Sequence, residues 1–155
     1  MSFLIKALPE LLFSDLFALS DAELAQRSCR RMVVDAKPGY PCRVSLADAE
    51  VGETVLLVNF EHQPNDTPYR SSHAIFVRQG VKQSLPGPGV IPDFLKVRLL
   101  SVRAFDSTHQ MVNAEVIDGH QLEETIRDMF ADSNVEYLHL HNAKPGCYNA
   151  TVVRA

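Results

Sequence analysis

The sequence predicts an α+β fold: a largely antiparallel sheet, curved or barrel-like, with two main helices on one side. Three observations carry this expectation. Runs of alternating apolar and polar residues recur along the chain with turn-forming clusters between them, as hairpin-linked strands require. Only two stretches, Asp21 to about Met32 and the one following Asp118, combine a helix start signal with an apolar stripe at helical spacing. The segment Val135 to Val153 reads as two alternating runs around Asn142-Ala143-Lys144-Pro145-Gly146, a β-hairpin with a five-residue loop. At 155 residues the chain suits a single globular domain, 1–155, large enough to bury a core without disulfide staples.

The elements follow in order. Phe3 to Leu8 predicts a short strand, ended by Pro9, which cannot donate to a ladder. Ser20-Asp21-Ala22-Glu23 has the form of a capping box and opens the first helix, with Ala22, Ala25, Cys29 and Met32 on its buried face. Cys42, Val44 and Leu46 alternate with Arg43 and Ser45 as on a half-buried strand. Glu53 to Phe60 is apolar on both faces and reads as a central strand, and His73 to Arg78 as its neighbour. Between them Glu61 to His73 is polar, holds two prolines and is too long for a tight turn. Gln79 to Asp93 is a proline- and glycine-rich loop. Lys96 to Phe105 and Met111 to Ile117 form a hairpin. Asp118 then caps the second helix, with Gln121 in the reciprocal position and Leu122, Ile126, Met129 and Phe130 along one stripe.

In the C-terminal hairpin, pairing His141 with Cys147 sets His139 against Asn149 and Tyr137 against Thr151. Leu138, Leu140, Tyr148, Ala150 and Val152 then face the core. The other face gathers Tyr137, His139, His141, Cys147 and Asn149, and two chemistries are compatible with it, beside a third reading carried by the long loop. Imidazoles two residues apart on a strand point the same way, so His139 and His141 are candidate metal ligands. His62, His73 or Asp66 from the long loop would complete them with Cys147, and zinc suits such nitrogen and sulfur donors. Alternatively, Cys147 is a nucleophile with His141 as its base and Asn149 or His139 as the orienting group. A third reading makes the long loop a binding module, in which Tyr69 stacks on a ligand and the planar fork of Arg70 holds a carboxylate or phosphate. Against these stand plain alternatives: histidines on the solvent face of a hairpin that bind nothing, Gly146-Cys147 simply closing a turn, and Arg70 as an ordinary solvated surface arginine.

A formal charge of −4 and the absence of any Lys or Arg run longer than Arg30-Arg31 leave no electrostatic footprint for nucleic acid or an anionic membrane. The expected partner is a small molecule. Pro9, Glu10 and Asp15 interrupt the apolar N-terminus before a signal core or membrane span could form, which predicts a cytoplasmic protein. Cys29, Cys42 and Cys147 are odd in number and lack a C-x-x-C, as reduced thiols do; Cys29 and Cys42 read as packing residues. His109 falls in a turn and His120 in a first helical turn. Glu123 and Glu124 complement the helix dipole rather than forming an acid–base pair.

Four runs carry a resemblance: P-C-R-V-S-L-A-D-A from Pro41, V-L-L-V-N-F-E-H-Q-P from Val55, T-P-Y-R-S-S-H-A-I-F-V-R from Thr67, and Y-L-H-L-H-N-A-K-P-G-C-Y from Tyr137. Together they resemble the bacterial domain-of-unknown-function family numbered 1203, over nearly the whole chain. The resemblance implies a small bacterial single-domain protein and assigns no activity, so function rests on the residues themselves.

Overall fold

Two five-stranded sheets, rather than one curved sheet, organise the chain in the computed structural model, which describes residues 1–155. The strands are β1 (Phe3–Lys6), β2 (Cys29–Val33), β3 (Pro41–Cys42), β4 (Ala47–Asp48), β5 (Thr54–Gln63), β6 (Ser71–Arg78), β7 (Leu99–Phe105), β8 (Met111–Asp118), β9 (Tyr137–Asn142) and β10 (Tyr148–Arg154). The first sheet has the order β1-β10-β9-β7-β8 and the second β2-β5-β6-β3-β4. Every pairing is antiparallel except β3 with β6. The mixed α+β class and the antiparallel bias are as the alternating runs predict.

The helices depart from expectation. In place of two main helices there are three short ones, α1 (Asp21–Gln26), α2 (Asp93–Lys96) and α3 (Leu122–Phe130). Half of the capping box at Ser20 forms: the Ser20 hydroxyl accepts from the Glu23 N–H, while the Glu23 carboxylate accepts from that hydroxyl rather than from the Ser20 N–H, and the helix stops after six residues. Ser28 adopts φ 55°, and Cys29 to Val33 leave as a strand paired with Val58 to Thr54. A strand edge waiting on β5 overrides a helical pattern whose intrinsic preference is worth only a few tenths of a kcal/mol per residue. Cys29 is buried all the same, facing the second sheet's core instead of a helix stripe. The strand expected from Cys42 to Leu46 is likewise reduced to Pro41–Cys42, because the chain turns back at once into β4. That turn buries Arg43, which the alternation had placed outside.

Helix α3 matches its pattern closely. Asp118 and Gln121 make the reciprocal capping box on a short 3-10 turn, Gly119–Gln121, and Leu122, Ile126, Met129 and Phe130 are buried. They cover one face of the first sheet, meeting Leu100, Val102 and Ala104 of β7, Leu138 and Leu140 of β9, and Ala150 and Val152 of β10. A second core joins Leu56, Val58, Ile75 and Val77 of the second sheet to Phe13, Leu24 and Tyr148. Tyr148 therefore links the sheets, and the face of the first sheet opposite α3 looks toward β5. No helix is long and apolar enough to cross a membrane.

Candidate three-histidine centre

Period-two geometry puts alternate residues of β7 and β9 on the face away from α3. Arg103 pairs with His139, Ser101 with His141 and Phe105 with Tyr137, so these six share that face while their neighbours fill the core. The histidines of β9 are buried there.

The register of the C-terminal hairpin differs from expectation. Gly146 adopts φ +83° and donates to Asn142 O at 2.9 Å, while Asn142 N–H bonds Cys147 O at 2.9 Å. This closes the loop one residue later, so Tyr148, and not Cys147, stands opposite His141. A bulge at Asn149 shifts the register once more, placing Thr151 opposite His139 and Ala150 opposite Leu140. The correction moves Tyr148 from the helix-covered core to the histidine face, where its ring approaches His139 at 5.3 Å and His141 at 5.8 Å.

His62 arrives from the other sheet. The β5–β6 register slips between Phe60 and Gln63, a bulge that re-aims side chains near the end of β5. Phe60 packs on Tyr148, and two residues later His62 lies flat against the same ring, centroids 5.6 Å apart and planes 5° apart. One ligand atom from each of His62, His139 and His141 then lies within 4.8 Å of the others.

Hydrogen bonds fix which nitrogens are free. His141 Nδ1 lies 2.8 Å from Gly146 O, so it carries the proton and donates, leaving the Nε2 lone pair. Ser71 Oγ donates to Tyr69 O at 3.0 Å and therefore accepts from His62 Nε2–H at 3.3 Å, leaving the Nδ1 lone pair. Neither nitrogen of His139 has a protein partner; its ring is held by Phe105 at 5.0 Å and Tyr137 at 5.2 Å. His62 Nδ1, His139 Nδ1 and His141 Nε2 are all buried and unpartnered.

Burial keeps the three rings neutral. Desolvation pulls His139 and His141 down to about 3 and His62 to about 4, and the Arg103 guanidinium pushes all three the same way. No carboxylate acts on any of them. Neutral imidazoles with free lone pairs are the form that ligates a metal.

The other candidate residues lie around this group. The Cys147 thiol is buried beside Arg43 and accepts from Asn142 Nδ2 at 3.2 Å. Asn149 sits in the β10 bulge, donating to Asn142 Oδ1 at 2.8 Å. His73 contacts Ala74 O through Nδ1 and Pro145 O through Nε2, each at 2.9 Å, and so ties β6 to the hairpin loop. Tyr69 meets Phe105 edge-on at 6.1 Å, and Arg70 forms a surface ion pair with Glu61 at 3.1 Å. Asp66 is exposed and outside the group of three. Sequence reading passed over Arg103, Ser71 and the part played by Tyr148. A signal existed for Arg103, because Ser101 and Arg103 alternate with Leu100, Val102 and Ala104.

A family model described as a protein of unknown function (DUF1203) matches residues 39–154, which include every residue of the centre. The chain belongs to the DUF1203 family. No curated protein and no solved structure matches it. In this DUF1203 protein the three rings line none of the five main surface cavities; the widest of these, about 580 Å³, lies between Asp48, Arg78 and Asp93. His62 and Arg103 are half-buried and His139 and His141 buried, so solvent meets the group on the side of His62 and Arg103.

Proposed function

We propose that this DUF1203 protein is a metal protein whose centre is His62, His139 and His141, with a fourth coordination position left open for chemistry on a small molecule. The supporting observation is that three neutral imidazoles from two sheets, two buried and one half-buried, bring one ring nitrogen each within 4.8 Å of the others, and that each ring also carries a buried nitrogen without a partner. An unsatisfied buried polar atom costs roughly 1–3 kcal/mol, so three together need a compensating occupant. A divalent ion supplies it. Nitrogens each about 2.1 Å from one zinc stand about 3.4 Å apart, so the group, spread within 4.8 Å, closes by small ring rotations.

The surroundings fit the same occupant. Gly146 O behind His141 and Ser71 Oγ behind His62 hold the far nitrogens and set the tautomers, as the outer partners of ligating histidines do. Three imidazoles without a thiolate or carboxylate make a ligand set that zinc uses for catalysis, whereas structural zinc sites are closed by four protein ligands. The test is metal content by elemental mass spectrometry on tag-free protein beside the His139→Ala/His141→Ala variant. Near-stoichiometric transition metal in the parent and none in the folded variant is expected. Metal-free protein that stays so after reconstitution with zinc, cobalt and iron would sink the reading and leave a bridging water as the occupant.

A further inference from the structure

Arg103 is the one fixed cation acting on all three imidazoles, and the hydrogen bonding of its guanidinium is incomplete. Its Nε donates to Ser101 Oγ at 3.2 Å, while Nη1 and Nη2 have no protein partner and reach solvent. None of the seven ion pairs of the protein involves it. Desolvation works against its charge with no carboxylate to offset the cost. Nearby acids are engaged elsewhere: Glu61 pairs with Arg70, and Asp106 accepts from the Thr108 and Gln110 backbone. Arg103 stands opposite His139 in the β7–β9 ladder and on the same face, so its fork and the imidazoles address one space.

Electrostatics make this arrangement incomplete without an anion. Three neutral imidazoles leave a divalent ion its full double charge, and Arg103 adds a third positive charge in a half-buried setting. A cation centre beside an unpaired guanidinium is repulsive unless a negative ligand lies between them, and a carboxylate has one oxygen for each, the guanidinium donating charge-assisted hydrogen bonds to its share. Because the three rings line none of the five main cavities, that ligand is small at its reacting end.

Resting on the three-histidine metal reading, we propose that the substrate or ligand of this centre is a small carboxylate, one oxygen completing the metal and the other held by Arg103. Arg103 is thereby the residue that selects the substrate class, while the histidines decide only whether a metal is present.

The test uses full-length protein loaded with Co(II), whose visible absorption reports its ligands, titrated in turn with acetate, inorganic phosphate and chloride. Parent protein should bind one Co(II) and change its spectrum with acetate. Arg103→Gln should keep the Co(II) stoichiometry and bind acetate about 10- to 100-fold more weakly, the loss expected for one charge-assisted hydrogen-bonded pair. Arg103→Met, which preserves the packed stem, carries the comparison if R103Q does not fold. Equal acetate affinity in parent and variant, or a spectrum indifferent to acetate, overturns the role of Arg103 while leaving the metal reading intact. A response to phosphate or chloride alone overturns the carboxylate assignment. Failure of parent protein to take up Co(II) overturns both, and the stoichiometry measurement separates that case from the others.

Discussion

His62 and His141 stand with ring centroids 4.8 Å apart and planes at 81°, although one belongs to β5 in the second sheet and the other to β9 in the first. Nothing local joins them. Their approach depends on Tyr148, which pairs with His141 in the hairpin and stacks on His62. The centre is therefore built at the docking of two sheets, and its integrity depends on that docking.

Acid should weaken the metal-free protein in a defined window. The folded-state values of His139 and His141, about 3, lie below the ordinary imidazole value near 6.5, so the unfolded chain binds protons first as pH falls. Their contribution is fully present above about pH 6.5 and disappears progressively toward about pH 3. At pH 5 each ring should cost about 2 kcal/mol of stability, with a smaller share from the half-exposed His62. Urea unfolding at pH 7.5 and pH 5.0 measures the loss, which should shrink in His139→Gln/His141→Gln. An unchanged pH dependence in that variant would show that other groups carry it.

Ser71→Ala should separate metal affinity from stability. Its hydroxyl holds His62 Nε2 at the exposed start of β6, where its loss leaves the core untouched. Removal of an outer partner of a ligating histidine lowers affinity by about 10- to 100-fold. Competition with a chelator should show that drop while the melting temperature of metal-free protein stays within a degree or two of the parent, a shift of well under ~1 kcal/mol. Equal affinity would mean that the Ser71 contact does not orient the ring.

The sequence made one half of this centre plain and hid the other. His139 and His141 are readable because a strand repeats every two residues, so H-x-H needs no tertiary knowledge to share a face. His62 could be named only as one of several donors from a loop; its place at the end of a ten-residue strand depends on the bulge after Phe60. The hairpin was visible but its register was not, since the loop closed at Gly146 with positive φ puts Tyr148 instead of Cys147 opposite His141, and a bulge at Asn149 then puts Thr151 opposite His139. Arg103 shows the same limit. Alternation puts it on the outer face of β7, yet only the order β9-β7-β8 decides that His139 is its neighbour. In the N-terminal part, a short helical pattern lost to a strand edge that no local window contains.

Gly119→Ala tests the packing under α3. A Cβ at this position would collide with Leu95 O and the Lys96 carbonyl, all backbone atoms of α2 that no side-chain rotation can move. The Gly119 N–H also bonds Arg98 O at 2.8 Å, pinning the close approach. Overpacking of this kind costs about 1–3 kcal/mol, and an immovable backbone neighbour places it at the upper end. Thermal unfolding should show a fall of several degrees for G119A, and a neutral result would mean that α2 shifts freely.

Arg43 decides how firmly Tyr148 is held. It is 1% exposed, donates through Nε to Tyr148 O at 2.7 Å and through Nη1 to Pro41 O, and has no carboxylate partner. Two effects oppose each other on its removal. Relieving the desolvation of a buried guanidinium favours the variant, whereas orphaning two buried carbonyls costs about 1–3 kcal/mol each and an emptied stem adds a cavity penalty. Arg43→Met keeps the stem and takes the desolvation relief, so it should sit within about 2 kcal/mol of the parent; Arg43→Ala adds the cavity and should lose at least about 3 kcal/mol. Both variants free the backbone of Tyr148, so both should bind metal more weakly than the parent whatever their stability. Urea unfolding ranks the first effect and chelator competition the second. Parent-like metal affinity in R43M would show that the ring of Tyr148, wedged between His62 and His139, holds its own place without the anchor behind it.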